Sequence, residues 1–133
     1  MSVRVTVREQ QEPIVVHDDL QLQAVLAAAE KEASSLQKLN IVSIEAENGN
    51  TLGIVVGGPE SSLSFSYGHL NPPYYASKGP GQGVEPVLTC FLALEHHTEF
   101  PRGSVIPKQQ ALRAATEFVA SPERPKSVEW VEV

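Results

Sequence analysis

Glu95-His96-His97-Thr98-Glu99 is the densest run of side chains in this sequence able to hold a metal or move a proton. On a strand, Glu95, His97 and Glu99 share one face and His96 takes the other. A single tetrahedral ion would need ligands from elsewhere, and His-Glu-x-x-His is absent. We therefore read a solvated strand end, with no metal and no cofactor. Cys90, the only cysteine, sits among Leu88, Phe91, Leu92 and Leu94, surroundings that raise a thiol pKa and leave it inert. A lone cysteine also excludes an intramolecular disulfide and a cysteine-rich zinc site. Gly103-Ser104 lacks the second glycine of a nucleophile elbow. The two aspartates, Asp18 and Asp19, stand where a helix would begin, and no glutamates form a marked catalytic pair. Gly79-Pro80-Gly81-Gln82-Gly83 leads into a strand and lacks the Lys-Ser/Thr of a phosphate loop. The sequence reads as non-enzymatic.

Tyr67-Gly68-His69-Leu70-Asn71-Pro72-Pro73-Tyr74-Tyr75 differs in kind. Tyrosines and a histidine on a proline-stiffened loop offer large contact area at low entropic cost, a composition favoured at protein interfaces. The same tyrosines could instead seal a sheet. Sixteen acidic residues against ten basic ones give a formal charge of −6. Such a surface repels phosphate backbones and anionic lipid, which argues against direct nucleic-acid or membrane binding and for a basic partner.

The elements that must position these residues follow from periodicity. The 133 residues suit one domain. Val3, Val5 and Val7 alternate with polar residues as a strand does, and Pro13-Ile14-Val15-Val16-His17 suggests a second strand. Asp18-Asp19 then cap a helix over residues 19–34, carrying Leu22, Val25, Leu26, Ala29 and Ala33 at helical spacing. Val42, Ile44 and Ala46 turn through Glu47-Asn48-Gly49-Asn50 into Leu52, Ile54 and Val56, a hairpin whose Asn-Gly supplies the required positive φ. Leu63, Phe65 and Tyr67 form a third antiparallel neighbour, with Ser62, Ser64 and Ser66 opposite. A short strand is expected over residues 74–77. Residues 86–94, apolar on both alternating sets, read as a central strand covered on both faces. Pro107 opens a second helix over residues 107–120, which Pro122 and Pro125 end. Val128 and Trp130 then share one face of a closing strand. The fold class is α+β: a mostly antiparallel, twisted sheet with two helices and a C-terminal strand carrying Trp130. Residues 2–8 show no signal-peptide stretch, and residues 24–29 and 91–94 are too short to span a bilayer, so a cytoplasmic protein is expected.

From His97 onward the chain resembles the immunity proteins of bacterial polymorphic-toxin systems, in particular the family often paired with deaminase toxins. The resemblance rests on His97-Thr98-Glu99-Phe100-Pro101, on Val105-Ile106-Pro107 opening a helix, on Phe118, on Glu123-Arg124-Pro125 and on Val128-Glu129-Trp130-Val131-Glu132. Tyr74-Tyr75-Ala76-Ser77-Lys78-Gly79 is similar to a further family segment. Ser121-Pro122 departs from the glycine expected before Glu-Arg-Pro. The resemblance implies a small protein that binds a cognate toxin domain and blocks it stoichiometrically, with Trp130 as a fold marker. The His-x-Glu and Pro-Cys-x-x-Cys of a zinc deaminase are missing, which suits the antidote and not the toxin. On this view the toxin-binding candidates are Tyr67, His69, Tyr74, Tyr75, Glu95, His97 and Glu99, with Glu45 and Glu47 as exposed acidic groups. Two other readings are a regulatory or metabolite-binding α+β domain closing loop 79–83 over its ligand, and a hydrolase using Cys90 or Ser104.

Overall fold

Alternating apolar residues produce strands, and the computed structural model, which describes residues 2–81 and 86–133, contains ten of them among those residues. In chain order these are β1 (Val3–Thr6), β2 (Ile14–Val16), helix α1 (Asp19–Leu36), β3 (Asn40–Ala46), β4 (Thr51–Val56), β5 (Glu60–Ser66) and β6 (Tyr74–Ser77). There follow β7 (Val87–Leu92), β8 (His96–Pro101), a 3-10 turn (Arg102–Ser104), β9 (Val105–Pro107), helix α2 (Lys108–Ala120) and β10 (Trp130–Glu132). The sheet runs β10-β6-β5-β4-β3-β1-β2, all neighbours antiparallel. The fold is α+β, as the periodicity predicts.

One face of this sheet takes both helices. Val3, Val5, Val42, Ile44, Leu52, Ile54, Leu63 and Phe65 meet Leu22, Leu26, Ala29 and Ala33 of α1 and Ala111, Ala114, Ala115 and Phe118 of α2. The alanines let the helices approach closely, while Phe118 fills the remaining space and meets Phe65 edge-on at 6.3 Å. Asp18 caps α1 by accepting from the Gln21 N–H at 2.8 Å, and α1 stops at Gln37, whose φ of 55° is left-handed. Pro107 closes β9 and stands immediately before α2. Trp130 packs at the rim of the core, edge-on to Phe65 at 6.2 Å, and its Nε1–H donates to the Pro125 carbonyl at 2.8 Å. The Glu117 carboxylate accepts from the N–H groups of Lys126 and Ser127 at 2.7 and 3.2 Å. Asn50, also buried, donates to the Pro122 carbonyl at 2.9 Å and accepts from Gly68 N–H at 2.9 Å. The segment between α2 and β10 is thus strapped to the fold by side chains from three places.

Four residues, 47–50, join β3 to β4, and of these only Gly49 takes a positive φ, 88°. Asn48 serves instead through its side chain, which donates to the Pro122 carbonyl at 3.0 Å.

The expectation of a central, doubly covered strand over residues 86–94 is corrected. β7 pairs with β8 along its length but meets β3 through only Asn40↔Phe91 and Ile41↔Leu92, and in parallel. Its first four residues therefore have β8 as their only strand neighbour, and even Leu92, at the paired end, is 40% exposed. Ala93 and Leu94 belong to the turn, with φ of 51° and 63°. Two successive left-handed residues without glycine cost about 1–2 kcal/mol each. They are held by a buried polar contact: Asn40, fully buried, accepts from Leu94 N–H at 2.9 Å and donates to the Val7 carbonyl at 3.1 Å. Asn40 thus ties the hairpin turn to the end of β1 at the point where β3 exchanges one neighbour for the other.

Asn40→Ala removes both bonds and leaves two buried backbone groups unpaired. We expect a loss of about 2–4 kcal/mol in urea unfolding, whereas Asp18→Ala, which removes only a helix cap, should cost about 1 kcal/mol.

Candidate interaction surfaces

The residues singled out from sequence fall into separate groups. Tyr67, His69 and Tyr75 lie together on the helix side: Tyr67 stacks on His69 at 5.4 Å and meets Tyr75 edge-on at 6.3 Å. Arg124 lies over the Tyr75 ring at 4.1 Å, and both tyrosines pack against the main core. Strand alternation sends Tyr74 to the other face, where it is 40% exposed and its hydroxyl donates to the Leu70 carbonyl at 3.0 Å. Glu45 shares that face, one strand pairing away from Thr51 and opposite Arg4. Glu47, in the β3–β4 turn, accepts from the Ser2 backbone N–H and hydroxyl at 3.0 Å each. The N–H first, then the hydroxyl, hold its carboxyl below the ordinary range. His97 and Glu99 share the outer face of the β7–β8 hairpin, 4.0 Å apart, where His97 meets Phe91 edge-on. Glu95 sits in the hairpin turn, off the strand face on which alternation places it, because β8 begins only at His96. His96 contacts Glu9 at 3.0 Å.

The groups weighed for reactive chemistry are held in structural contacts. Ser104 is buried; its hydroxyl donates to the Pro101 carbonyl at 2.9 Å and meets Ser62 Oγ at 3.1 Å, while Ser77 Oγ donates to its carbonyl at 2.7 Å. These serines clasp β5, β6 and the 3-10 turn together. A side chain at Gly79 would collide with the Val105 carbonyl, so its glycine answers to packing. Gln82 and Gly83 of the glycine-rich loop lie outside the described residues. Among the described residues no three His, Cys, Asp or Glu side chains gather to hold an ion. Cys90 is fully buried with Ile41 and Val55, and burial pushes its thiol up to about 11.

The face of the sheet opposite the helices forms a trough of roughly 500 Å³. A lateral row of small residues, Ser43↔Gly53↔Ser64↔Ala76, makes its floor across four strands. Leu92 and Phe100 of the hairpin wall one side, and Tyr74 and Val133 the other. Sequence reasoning missed this surface. Its signal was present in the polar set that alternates with the core set: Ser43, Gly53, Ser64 and Ser66 are too small and uncharged for an ordinary solvated face.

This fold, with its aromatic, hydroxyl-lined and acidic surfaces, is that of a small α+β protein. Residues 10–132 match the family model of immunity protein Imm1, and the chain belongs to that family. As an immunity protein its partner is a toxin. Comparison with curated proteins gives no match. No helix among the described residues is long and apolar enough to cross a membrane.

The thiol shift makes a prediction with a definite sign. Folded Cys90 stays protonated above its ordinary value of 9.0, so the unfolded chain binds fewer protons between about pH 9 and 11. The stabilisation from a protonated Cys90 should be complete below pH 9 and be lost as pH rises through that window. Thiol reagents should label Cys90 only after denaturant is added at pH 8, and rapid native-state labelling would contradict its burial.

Proposed function

We propose that this immunity protein neutralises a nucleic-acid-directed deaminase toxin of a bacterial polymorphic-toxin system by one-to-one occlusion, working in the cytoplasm as a single domain without chemistry of its own. The family match over residues 10–132 carries the reading. Charge supports the choice of target: an enzyme acting on nucleic acid presents a basic groove, and a chain of formal charge −6 is steered to it and disfavours competing polyanions.

The toxin contacts are drawn from Tyr67, His69, Tyr74, Tyr75, Glu95, His97 and Glu99, with Glu45 and Glu47. An interface of ordinary size covers about 800 Å² per partner, about a ninth of the 7342 Å² surface here. One of the groups above, with its surroundings, therefore suffices. Tyr67 and Tyr75, both half-buried and the latter covered by Arg124, have less free surface to offer than the exposed members of the set.

Co-expression with the polypeptide encoded beside it tests the proposal. We expect growth rescue, a one-to-one complex on sizing, and an association rate that falls about tenfold or more between low and high salt. A neighbour that is harmless, or that kills regardless, would remove the support for this function.

A further inference from the structure

We propose that the β7–β8 hairpin, residues 87–101, is a flap: it lifts from the sheet as one piece and uncovers Ile41, Val55 and Cys90 while the helix-side core stays folded. This motion belongs to the chain itself and does not depend on which partner it binds.

The hairpin has its own ladder and its own small core. β7 and β8 pair from Val87↔Pro101 to Leu92↔His96, so the bonds between them are kept when the whole hairpin moves. Ile41 and Val55 alternate with the core residues Val42, Ile54 and Val56 and therefore face away from the helices. Cys90, with Leu88 and Phe100, covers them. This cluster shares no residue with the helix-side core, and Cys90 is the only buried residue of β7 or β8. A unit that buries so little apolar surface opens at a lower cost than the domain does. Among the described residues, its bonds to the sheet gather at one corner. The N–H groups of Phe91 and Ala93 donate to the Leu39 and Ile41 carbonyls at 2.8 and 3.2 Å, and Leu94 N–H donates to the Asn40 amide at 2.9 Å. Lys38 over the Phe91 ring at 4.8 Å, and His96 against Glu9 at 3.0 Å, add only surface contacts that water readily replaces. At the other end β8 runs into the 3-10 turn, which the Arg102–Glu60 ion pair at 3.0 Å and the buried Ser104 anchor. The hairpin is thus fixed at its base and clipped at its tip. The clip holds Ala93 and Leu94 at positive φ, a strained conformation that both can leave once Leu94 N–H is released.

The chain carries a reporter on each side: its one cysteine lies in the hairpin cluster and its one tryptophan packs against the helix-side core. With urea raised in steps at pH 8, thiol labelling follows the hairpin, while Trp130 fluorescence and the far-ultraviolet circular dichroism of α1 and α2 follow the core. In urea concentrations that leave both spectra native, we expect Cys90 to be labelled about tenfold or more faster than global unfolding allows. Phe100→Ala, which thins the cover over Ile41 and Val55, should speed that labelling about tenfold further. Leu112→Ala on α2, packed against the helix-side core, should lower the urea midpoint of Trp130 fluorescence and leave labelling below the transition within about threefold.

Labelling that rises only in step with the two spectra would overturn the flap, because the hairpin would then unfold only with the whole domain. Spectra that change at lower urea than labelling does would overturn it too. A Phe100→Ala chain labelled at once, with native spectra, is a flap standing open and supports the proposal. Should Phe100→Ala fail to fold, the wild type and Leu112→Ala decide.

Discussion

The hairpin that walls the open face is held in place by one buried amide. β3 is too long to keep β1 beside it throughout: Ser43 to Ala46 pair with β1, and Asn40 and Ile41 pair with β7. Wherever a strand exchanges neighbours, backbone groups lose their ladder partners and must be satisfied otherwise. Asn40 does this for Val7 and Leu94 at once, from a position without solvent access. Its two bonds fix where the hairpin stands, and the hairpin supplies one wall of the trough. Removing the amide would therefore alter the open face before it altered the helical core.

The two faces of the sheet divide the work. On the helix side, large residues interdigitate and tolerate little change. The segments that carry the family resemblance mostly serve that side or its edges. Trp130 and Pro125 share a hydrogen bond, Glu123 receives one from Asn50 at 3.3 Å, and Arg124 covers Tyr75. Phe100 closes the smaller core under the hairpin. These are contacts that hold a fold.

Much of the fold was legible from local rules. The β3–β4–β5 meander, α1 with its Asp18 cap, α2 and the Trp130 strand each carry a periodic apolar set bounded by turn or capping residues. Residues 86–94 misled because a run of apolar side chains records hydrophobicity and not neighbours. Their actual environment is set by Asn40, forty-six or more positions earlier, which no window over the run contains. Tyr67, His69 and Tyr75 do cluster, yet Tyr74 lies across the sheet from them, a separation that strand alternation foretells once residues 74–77 are read as a strand. The trough stayed hidden for a different reason: its floor is defined by what its residues lack, and its outline depends on the lateral register of four strands.

The close approach of Gly53 and Ser64 gives this surface an adjustable relief. A Cβ at position 53 would come within 2.5 Å of Ser64 Oγ, the end of a side chain free to rotate. One added carbon would thus raise the floor and swing a hydroxyl aside, with the helix-side packing untouched. Single codons could thus recontour the open face through bulk alone while the core stayed as it is.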